Sequence, residues 1–283
     1  MNYLFTAAVL PVALLCYYIY AKDVNREPGN VLAKLFFFGA LIVIPVIIVE
    51  ILLTGIFSTE KVYDFLIVFV NVFISIALVE EGFKWLVVRN VGYDNREFDE
   101  VYDIIVYAVF VSLGFACVEN VLYVFSNGLS NAVLRAFTAI PGHTCFGVVM
   151  GYFMAKAKVA SISNNNGLYV KNIVLSLLIP MLFHTMYDAL LTWYTNAKMD
   201  WIILAFLLFD IIMVTVCFIT VNKTSRVQQN LNENLDAGSI VNNNGQIKLV
   251  DTQIPNQNIN FCPLCGTNVS TGNFCPKCGL KIR

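Results

Sequence analysis

The chain has 283 residues, of which 58% are hydrophobic and only 13% are charged, and its formal net charge is -1. Soluble globular proteins have about 45–50% apolar and about 25% charged residues, so this composition excludes an ordinary soluble domain. A near-neutral balance without a Lys/Arg-rich patch gives no indication of a nucleic-acid partner. We therefore expect an all-α polytopic membrane protein whose surroundings are a lipid bilayer.

Seven apolar segments are long enough to cross a bilayer, which needs about 20 helical residues. No basic residue precedes the first segment, so we interpret it as a permanent span rather than a signal peptide. The predicted spans are residues 3–21, 35–57, 66–88, 104–125, 136–155, 172–194 and 201–221.

Basic residues alternate between the loops, and the side that carries more of them is expected to be cytoplasmic. The richer loops contain Lys22, Arg26 and Lys34, then Arg89 and Arg96, then Lys156, Lys158 and Lys171, and finally Lys223 and Arg226. The opposite loops contain only Lys61, Arg135 and Lys198. This predicts a multi-pass membrane protein with the N-terminus outside and the C-terminus in the cytoplasm.

The composition changes after residue 226, which we take as the end of a membrane domain spanning residues 1–226. Residues 227–260 are rich in Asn, Gln and Gly and have few large apolar side chains. Such a segment cannot bury enough surface to fold, so we expect a flexible linker with a reach on the order of 30 Å.

The last segment, residues 261–283, contains nearly the same hexapeptide twice, with two residues between the cysteines of each copy: Cys262, Cys265, Cys275 and Cys278. Four thiolates at this spacing are typical of a closed structural zinc site, which has no open position for catalysis. Disulfides are disfavoured because the predicted cytoplasmic side is reducing. This zinc ribbon resembles bacterial zinc-ribbon tails, so we expect it to contact a cytoplasmic partner.

The third span contains Glu80, Glu81 and Lys84 inside its apolar run. Each such charge costs roughly 2.5–3.5 kcal/mol at the centre of a membrane helix on insertion scales. Lys84 follows the two acids by four and three residues, so it can neutralise either of them on one helical face. The simplest structural explanation is a buried ion pair that fixes the helix register.

The next three spans supply further polar groups, which favours a functional explanation. These groups are Glu119, four residues after Phe115, and Asn120 in the fourth span, His143 after Pro141 and Gly142 in the fifth, and His184 and Asp188 in the sixth. Glu50 and Asp210 have no local partner, so we interpret them as packing residues. Counting along the spans places Glu80 one or two turns deeper toward the cytoplasm than Glu119.

This set of residues could carry out hydrolysis. A glutamate in a low-dielectric site can act as general base on water, and histidines can stabilise an oxyanion or bind a metal. Asp188, one turn from His184, is placed to fix its tautomer. We also expect Pro141 and Gly142 to unwind the helix locally before His143.

The motifs Glu-Glu-x-x-Lys, Phe-x-x-x-Glu, His and His-x-x-x-Asp, in this order over residues 66–194, resemble the PrsW family of bacterial intramembrane proteases, relatives of the CAAX prenyl proteases. The resemblance implies peptide-bond hydrolysis in the membrane, typically site-1 cleavage of a membrane-anchored, single-span anti-sigma factor. It assigns functional roles to Glu80, Glu81, Glu119, His143, His184 and Asp188, with Lys84, Phe115 and Asn120 in support.

Two mechanisms stay open at this point. Either Glu80 or Glu81 activates water without a metal, or Glu119, His143 and His184 hold zinc and the same glutamates supply the base. Two other functions also stay open: a transporter or sensor with an acid and histidine relay, and a scaffold that acts through its zinc ribbon.

Overall fold

The computed structural model describes residues 2–93, 95, 100–162, 164–241 and 247–249, with side chains over residues 3–229 of these. This part of the chain is almost entirely helical. The elements are α1 (Asn2–Ala21), α2 (Gly29–Leu41), α3 (Val43–Ile56), α4 (Phe65–Val72), a π-helical turn (Phe73–Ala77), α5 (Leu78–Val87), a second π-helical turn (Val88–Gly92), α6 (Asp103–Asn127), α7 (Leu129–Phe137), α8 (Ala139–Ile162), α9 (Asn166–Ala197), α10 (Asp200–Gly238), β1 (Ser239–Val241) and β2 (Ile247–Leu249).

Seven helical segments within the described part are long and apolar enough to cross a membrane, which confirms the predicted all-α membrane fold. Most extend beyond the predicted ends. Three spans contain two α-helices each: α2 and α3 form the second, α4 and α5 with their π-helical turns form the third, and α7 and α8 form the fifth.

Helix α6 lies at the centre of the fold, where it packs against α1, α2 and α8. Most of its residues from Asp103 to Ala116 are buried. The crossing of α2 with α6 is close enough to require glycine on both helices. A Cβ at Gly39 of α2 would collide with the carbonyl oxygen of Val111, and one at Gly114 would collide with that of Phe36. Small residues at helix crossings let two backbones approach closely, which favours association in lipid.

The two π-helical turns enclose α5, the helix that contains the acids of the third span. A π turn inserts an extra residue into a helix and is frequent at functional sites. Here each turn changes the direction in which the following side chains point. No pattern in the sequence predicts either π-helical turn.

Helix α10 forms the seventh span, Asp200–Gln229, and continues beyond it to Gly238. Strands β1 and β2 then pair antiparallel. The predicted domain boundary at Arg226 therefore lies within a helix, and the first residues of the predicted linker, 227–238, are helical. The four tail cysteines and their predicted zinc ribbon lie outside the described residues.

Candidate active site

Lys84 forms the centre of a buried polar cluster inside the helical bundle. Its Nζ donates to Oε2 of Glu80 and to Oε1 of Glu81, at 2.8 Å each. The side chains of Lys84 and Glu81 are no more than 1% exposed, and that of Glu80 is 5% exposed. The sequence predicted that Lys84 could neutralise either acid, and the structure shows that it pairs with both at once.

His143, from α8, connects this ion pair to α6. Nζ of Lys84 donates to Nδ1 of His143 at 3.2 Å, and Nε2 of His143 lies 2.9 Å from Oε2 of Glu119. Because the ammonium group can only donate, we assign Nδ1 as the acceptor and place the ring proton on Nε2. In this tautomer His143 donates to Glu119 as a neutral imidazole.

His184, from α9, has a carboxylate at both ring nitrogens. Nδ1 lies 3.0 Å from Oε1 of Glu81, and Nε2 lies 3.1 Å from Oδ2 of Asp188 and 4.0 Å from Oε2 of Glu80. Ionised carboxylates only accept hydrogen bonds, so both bonds form when the ring carries two protons. The predicted one-turn pairing of His184 with Asp188 is present in the structure.

Two phenylalanines cover the polar cluster with aromatic rings. Nζ of Lys84 lies 4.1 Å from the ring centroid of Phe115, a cation–π distance. Phe146 stacks on His184 with ring centroids 4.7 Å apart. These rings exclude water from one side of the cluster, so its electrostatic interactions act in a low-dielectric environment.

Arg135 of α7 is a site residue that the sequence analysis missed. Its Nη2 donates to Oε2 of Glu119 at 2.9 Å, and its Nε donates to Oδ1 of Asn120, also at 2.9 Å. Nδ2 of Asn120 in turn donates to the carbonyl oxygen of Ala8, which connects this corner to α1. From the sequence, Arg135 is predicted only to be a charge in a loop. The one sequence feature that could have indicated a site residue is that it is the single basic residue of this loop and immediately precedes the fifth predicted span.

The structure brings together all six residues to which the family resemblance assigns a function, from α5, α6, α8 and α9. The apparent difference in depth between Glu80 and Glu119 does not keep them apart, since Lys84 contacts Glu80, His143 contacts Glu119, and Lys84 contacts His143. The expected unwinding at Pro141 and Gly142 is wrong. Both residues lie in the first turn of α8. A backbone N–H in the first turn has no acceptor within the helix, so the missing N–H of proline does not disrupt it.

A cavity of about 20 Å³ lies beside the two histidines, which is room for roughly one water molecule. Polar groups of four helices line it: Glu119, Arg135, His143, His184 and Asp188. Glu80 and Glu81 do not line this cavity. His184 connects the two sets of acids, because its ring nitrogens contact Glu81 and Asp188. His143 connects them through Lys84, which contacts its Nδ1, while its Nε2 contacts Glu119.

Among the described residues, two groups of three side chains have ligand atoms within 4.8 Å of one another. One group is Glu80, Glu81 and His184, and it belongs to this site. Two carboxylates and an imidazole backed by Asp188 match the donors of catalytic zinc sites. Oε2 of Glu81 is buried without a hydrogen-bond partner in the described chain. These residues therefore fit a metal ion, whereas the predicted set with Glu119 and His143 does not form such a group.

The second group lies apart from this site, where the α1–α2 loop meets the start of α6. It consists of Asp23, Glu27 and Asp103, all buried. Hydroxyl Oη of Tyr107 donates to Oε2 of Glu27 at 2.6 Å. Burial raises the pKa of Asp23 to about 7, with repulsion from Glu27 and Glu100 adding to the effect and the N–H of Glu27 opposing it.

Comparison with known proteins connects this arrangement to one family. The family described as PrsW family intramembrane metalloprotease matches residues 27–225. The protein named Protease PrsW from Oceanobacillus iheyensis is 38% identical over 191 residues, which are 68% of this chain and 84% of that protein. Its namesake from Bacillus subtilis is 35% identical over 192 residues, with coverage of 68% and 84%. The one from Clostridioides difficile is 34% identical over 215 residues, with coverage of 74% and 86%. No solved structure matches the chain.

Proposed function

The chain belongs to the PrsW family and is a membrane-embedded endopeptidase, and from that premise we propose that Glu80 activates the water that attacks the peptide bond. The observation that carries the proposal is the 4.0 Å distance between Oε2 of Glu80 and Nε2 of His184, a residue that lines the water-sized cavity. A carboxylate that removes a proton from water in a dry site is a common general base. The motif resemblance found in the sequence is thus confirmed at the level of the family.

Glu80 suits this role better than the other acids because fewer groups engage it. Oε1 of Glu81 accepts from both Lys84 and His184, and the residue is fully buried. Oε2 of Glu119 accepts from Arg135 and His143. Donors of this kind hold a carboxylate ionised and reduce its basicity. We assign Glu81 to positioning Lys84 and His184, and Glu80 to proton transfer.

The groups that line the cavity would stabilise the negative charge that develops on the substrate carbonyl. Nε2–H of His143, the guanidinium of Arg135 and the ring of His184 all contribute donors beside this space. Donors already held by Glu119 and Asp188 need little reorganisation during the reaction. Removing one such donor typically lowers kcat by about 10²–10³.

The same site could hold a metal ion on Glu80, Glu81 and His184, since their donor atoms converge. When bound, such an ion would polarise the scissile carbonyl and acidify a water molecule. The assignments of Lys84, Glu119, His143 and Asp188 hold with or without it. These four residues position the donor atoms through the contacts described above.

The substrate class follows from the setting of the site. A protease whose catalytic groups lie among membrane spans acts on membrane proteins, and we propose a single-span protein such as an anti-sigma factor. The distribution of Lys and Arg supports an outside N-terminus, which would put Arg135 and the cavity toward the outer side. The proposed cut is then near the outer end of the substrate span. We assign the zinc-ribbon tail to contact with a cytoplasmic partner.

The test compares bacteria that lack the chromosomal gene and express either wild-type protein or the Glu80→Gln variant. New protein termini in membrane and extracellular fractions are quantified by mass spectrometry. We expect one single-span protein to show a new terminus near the outer end of its span in wild-type cells only. Glu80→Gln should accumulate to the wild-type level, because the amide keeps the shape of the side chain.

The matched control is Glu60→Gln, which changes an exposed acid in the loop before α4. It should leave processing unchanged. Identical termini in wild-type and Glu80→Gln cells would refute the role of Glu80. Termini that all map to the cytoplasmic end of the substrate span would refute the proposed orientation.

A further inference from the structure

Glu50 lies on the face of α3 that packs toward the active site. From the sequence we predict only a packing role for it, because no oppositely charged residue lies near it along the chain. Val43, Val46 and Leu53 of the same helix join a cluster with Val79 of α5 and with Phe115 and Val118 of α6. Glu50 follows Val46 by four residues and precedes Leu53 by three, so it belongs to this stripe. Val79 and Val118 are the sequence neighbours of Glu80 and Glu119.

Charge interactions place Glu50 at the edge of the polar cluster. Its carboxyl interacts electrostatically with four site residues: Glu80, Lys84, Glu119 and His184. One oxygen, Oε1, is buried and has no hydrogen-bond partner in the described chain. A buried polar atom without a partner in an apolar environment costs free energy, so such atoms usually have a function or a missing partner.

The cations of the described site do not supply that partner. Each of them already donates to other acids, in the pairs Lys84 with Glu80 and Glu81, Arg135 with Glu119, and His184 with Glu81 and Asp188. The missing partner must therefore come from outside this network.

Helix α3 is also the side of the bundle where another chain could reach the site. Its opposite face is exposed at Ile44, Ile48 and Ile51, with 64%, 56% and 66% exposure. These side chains face lipid in a membrane. A substrate span that approaches α3 laterally would meet Glu50 before it meets Glu80.

We infer that Glu50 is a substrate-binding residue, whose free carboxyl oxygen accepts a backbone N–H of the unwound substrate segment. Peptide hydrolysis requires an extended strand, and unwinding a helix leaves N–H groups that lipid cannot satisfy. An acceptor at the entrance stabilises that exposed strand, as backbone pairing does in other peptide-binding sites. The inference rests on the proposed function, because it assumes that the site cleaves a single-span protein.

The kinetic test uses the full chain reconstituted in liposomes with the single-span protein identified in the cell experiment. Glu50→Leu removes the acceptor, and we expect KM to rise about tenfold with kcat within about twofold of wild type. Glu50→Gln keeps a carbonyl oxygen and should stay within about threefold of wild-type KM. Asp210→Leu is the matched control, because it removes another membrane acid that is buried and has an oxygen without a partner.

A binding test does not depend on catalysis. A benzophenone amino acid replaces Glu50, or the exposed Ile211 of α10 as control, in the inactive Glu80→Gln background. Ultraviolet light should crosslink position 50, but not position 211, to the same single-span protein.

Three results would overturn the inference: wild-type KM in Glu50→Leu, an equal rise of KM in Asp210→Leu, or equal crosslinking from both positions. Failure of the proposed function looks different. In that case wild-type protein itself produces no cleavage that Glu80→Gln abolishes.

Discussion

Lys84 donates to Nδ1 of His143 across 3.2 Å and thereby joins α5 to α8 at the centre of the site. The same ammonium group neutralises two buried glutamates. One cation thus determines both the charge of the acids and the tautomer of the histidine.

Replacing Lys84 by methionine should therefore damage stability as well as catalysis. Removing one partner from a buried ion pair typically costs about 3–5 kcal/mol, because the remaining charges are left uncompensated. We expect lower accumulation, a lower Tm in detergent and no cleavage. Glu80→Gln serves as comparison, since it should lose cleavage while Tm changes little. Wild-type Tm in Lys84→Met would contradict the central role of this residue.

Arg135 should be essential although it lies in a connecting helix outside the sequence motifs. The Arg135→Gln variant removes one donor from the cavity and leaves Glu119 with one donor instead of two, so we expect kcat/KM to fall by roughly 10²–10³-fold. Lys198→Gln, which removes another cation from a loop on the same predicted side, is the control and should retain activity. Activity is measured by the cleaved fraction of the single-span substrate. Equal activity of the two variants would mean that Glu119 does not need Arg135.

Gly39→Ala should destabilise the fold because the new methyl group meets the backbone of α6. A backbone carbonyl cannot rotate away as a side chain can, so overpacking here should cost about 1–3 kcal/mol or more. The control is Gly55→Ala on α3, where nothing lies within 4 Å of the added Cβ. That substitution should be neutral or slightly stabilising, since alanine favours helix. Thermal unfolding in detergent compares the two variants directly.

The stability of the protein should fall between pH 5.5 and pH 8.5 through Asp23. Its pKa in the folded protein is about 7, above the ordinary value of 3.8, because burial disfavours the ionised form. The folded state therefore binds the proton more tightly than the unfolded state. The contribution of Asp23 to the free energy of unfolding is complete below about pH 3.8 and is lost as the pH rises through about 7.

Asp23→Asn stays neutral at every pH, so its Tm should decline less than that of wild type over this range. Asp200→Asn changes an exposed acid at the start of α10 and should follow the wild-type curve. Parallel curves for all three proteins would show that Asp23 is not the titrating group.

Zinc content tests both predicted metal sites in the intact chain. Replacing Cys265 and Cys278 by serine should remove one zinc per chain from purified protein, because a four-thiolate site needs all its ligands. Any zinc that remains is then assigned with Glu81→Gln added to the same background. Loss of that second ion would support the metal-dependent mechanism. An unchanged zinc content after the serine substitutions would contradict the tail site.

The membrane fold could be predicted from the sequence because long apolar runs and basic loop residues follow directly from the physics of the bilayer. The six site residues were also predictable, since charges such as Glu80 and His184 are too costly in lipid to be incidental. Their convergence followed from the family resemblance rather than from spacing alone.

Other features depend on tertiary packing and could not be deduced from local pattern. From the sequence, Arg135 is only a charge in a predicted loop. In the structure, α7 places its guanidinium against Glu119. Glu50 lacks a partner along its own helix, and only the packing of α3 on α5 and α6 directs it to the site. Pro141 suggested a break, yet the first turn of a helix accommodates proline without one.

The π-helical turn Phe73–Ala77 immediately precedes α5 and inserts one residue relative to a regular helix. A π turn takes up this extra residue within one wider turn. If the same residues formed a regular α-helix, the acidic face of α5 would be rotated by about 100°, the advance of one residue. The orientation of the catalytic groups is therefore maintained by this turn, and a three-nucleotide deletion that removes Ile76 would convert it to regular α-helix and leave the acids facing the site.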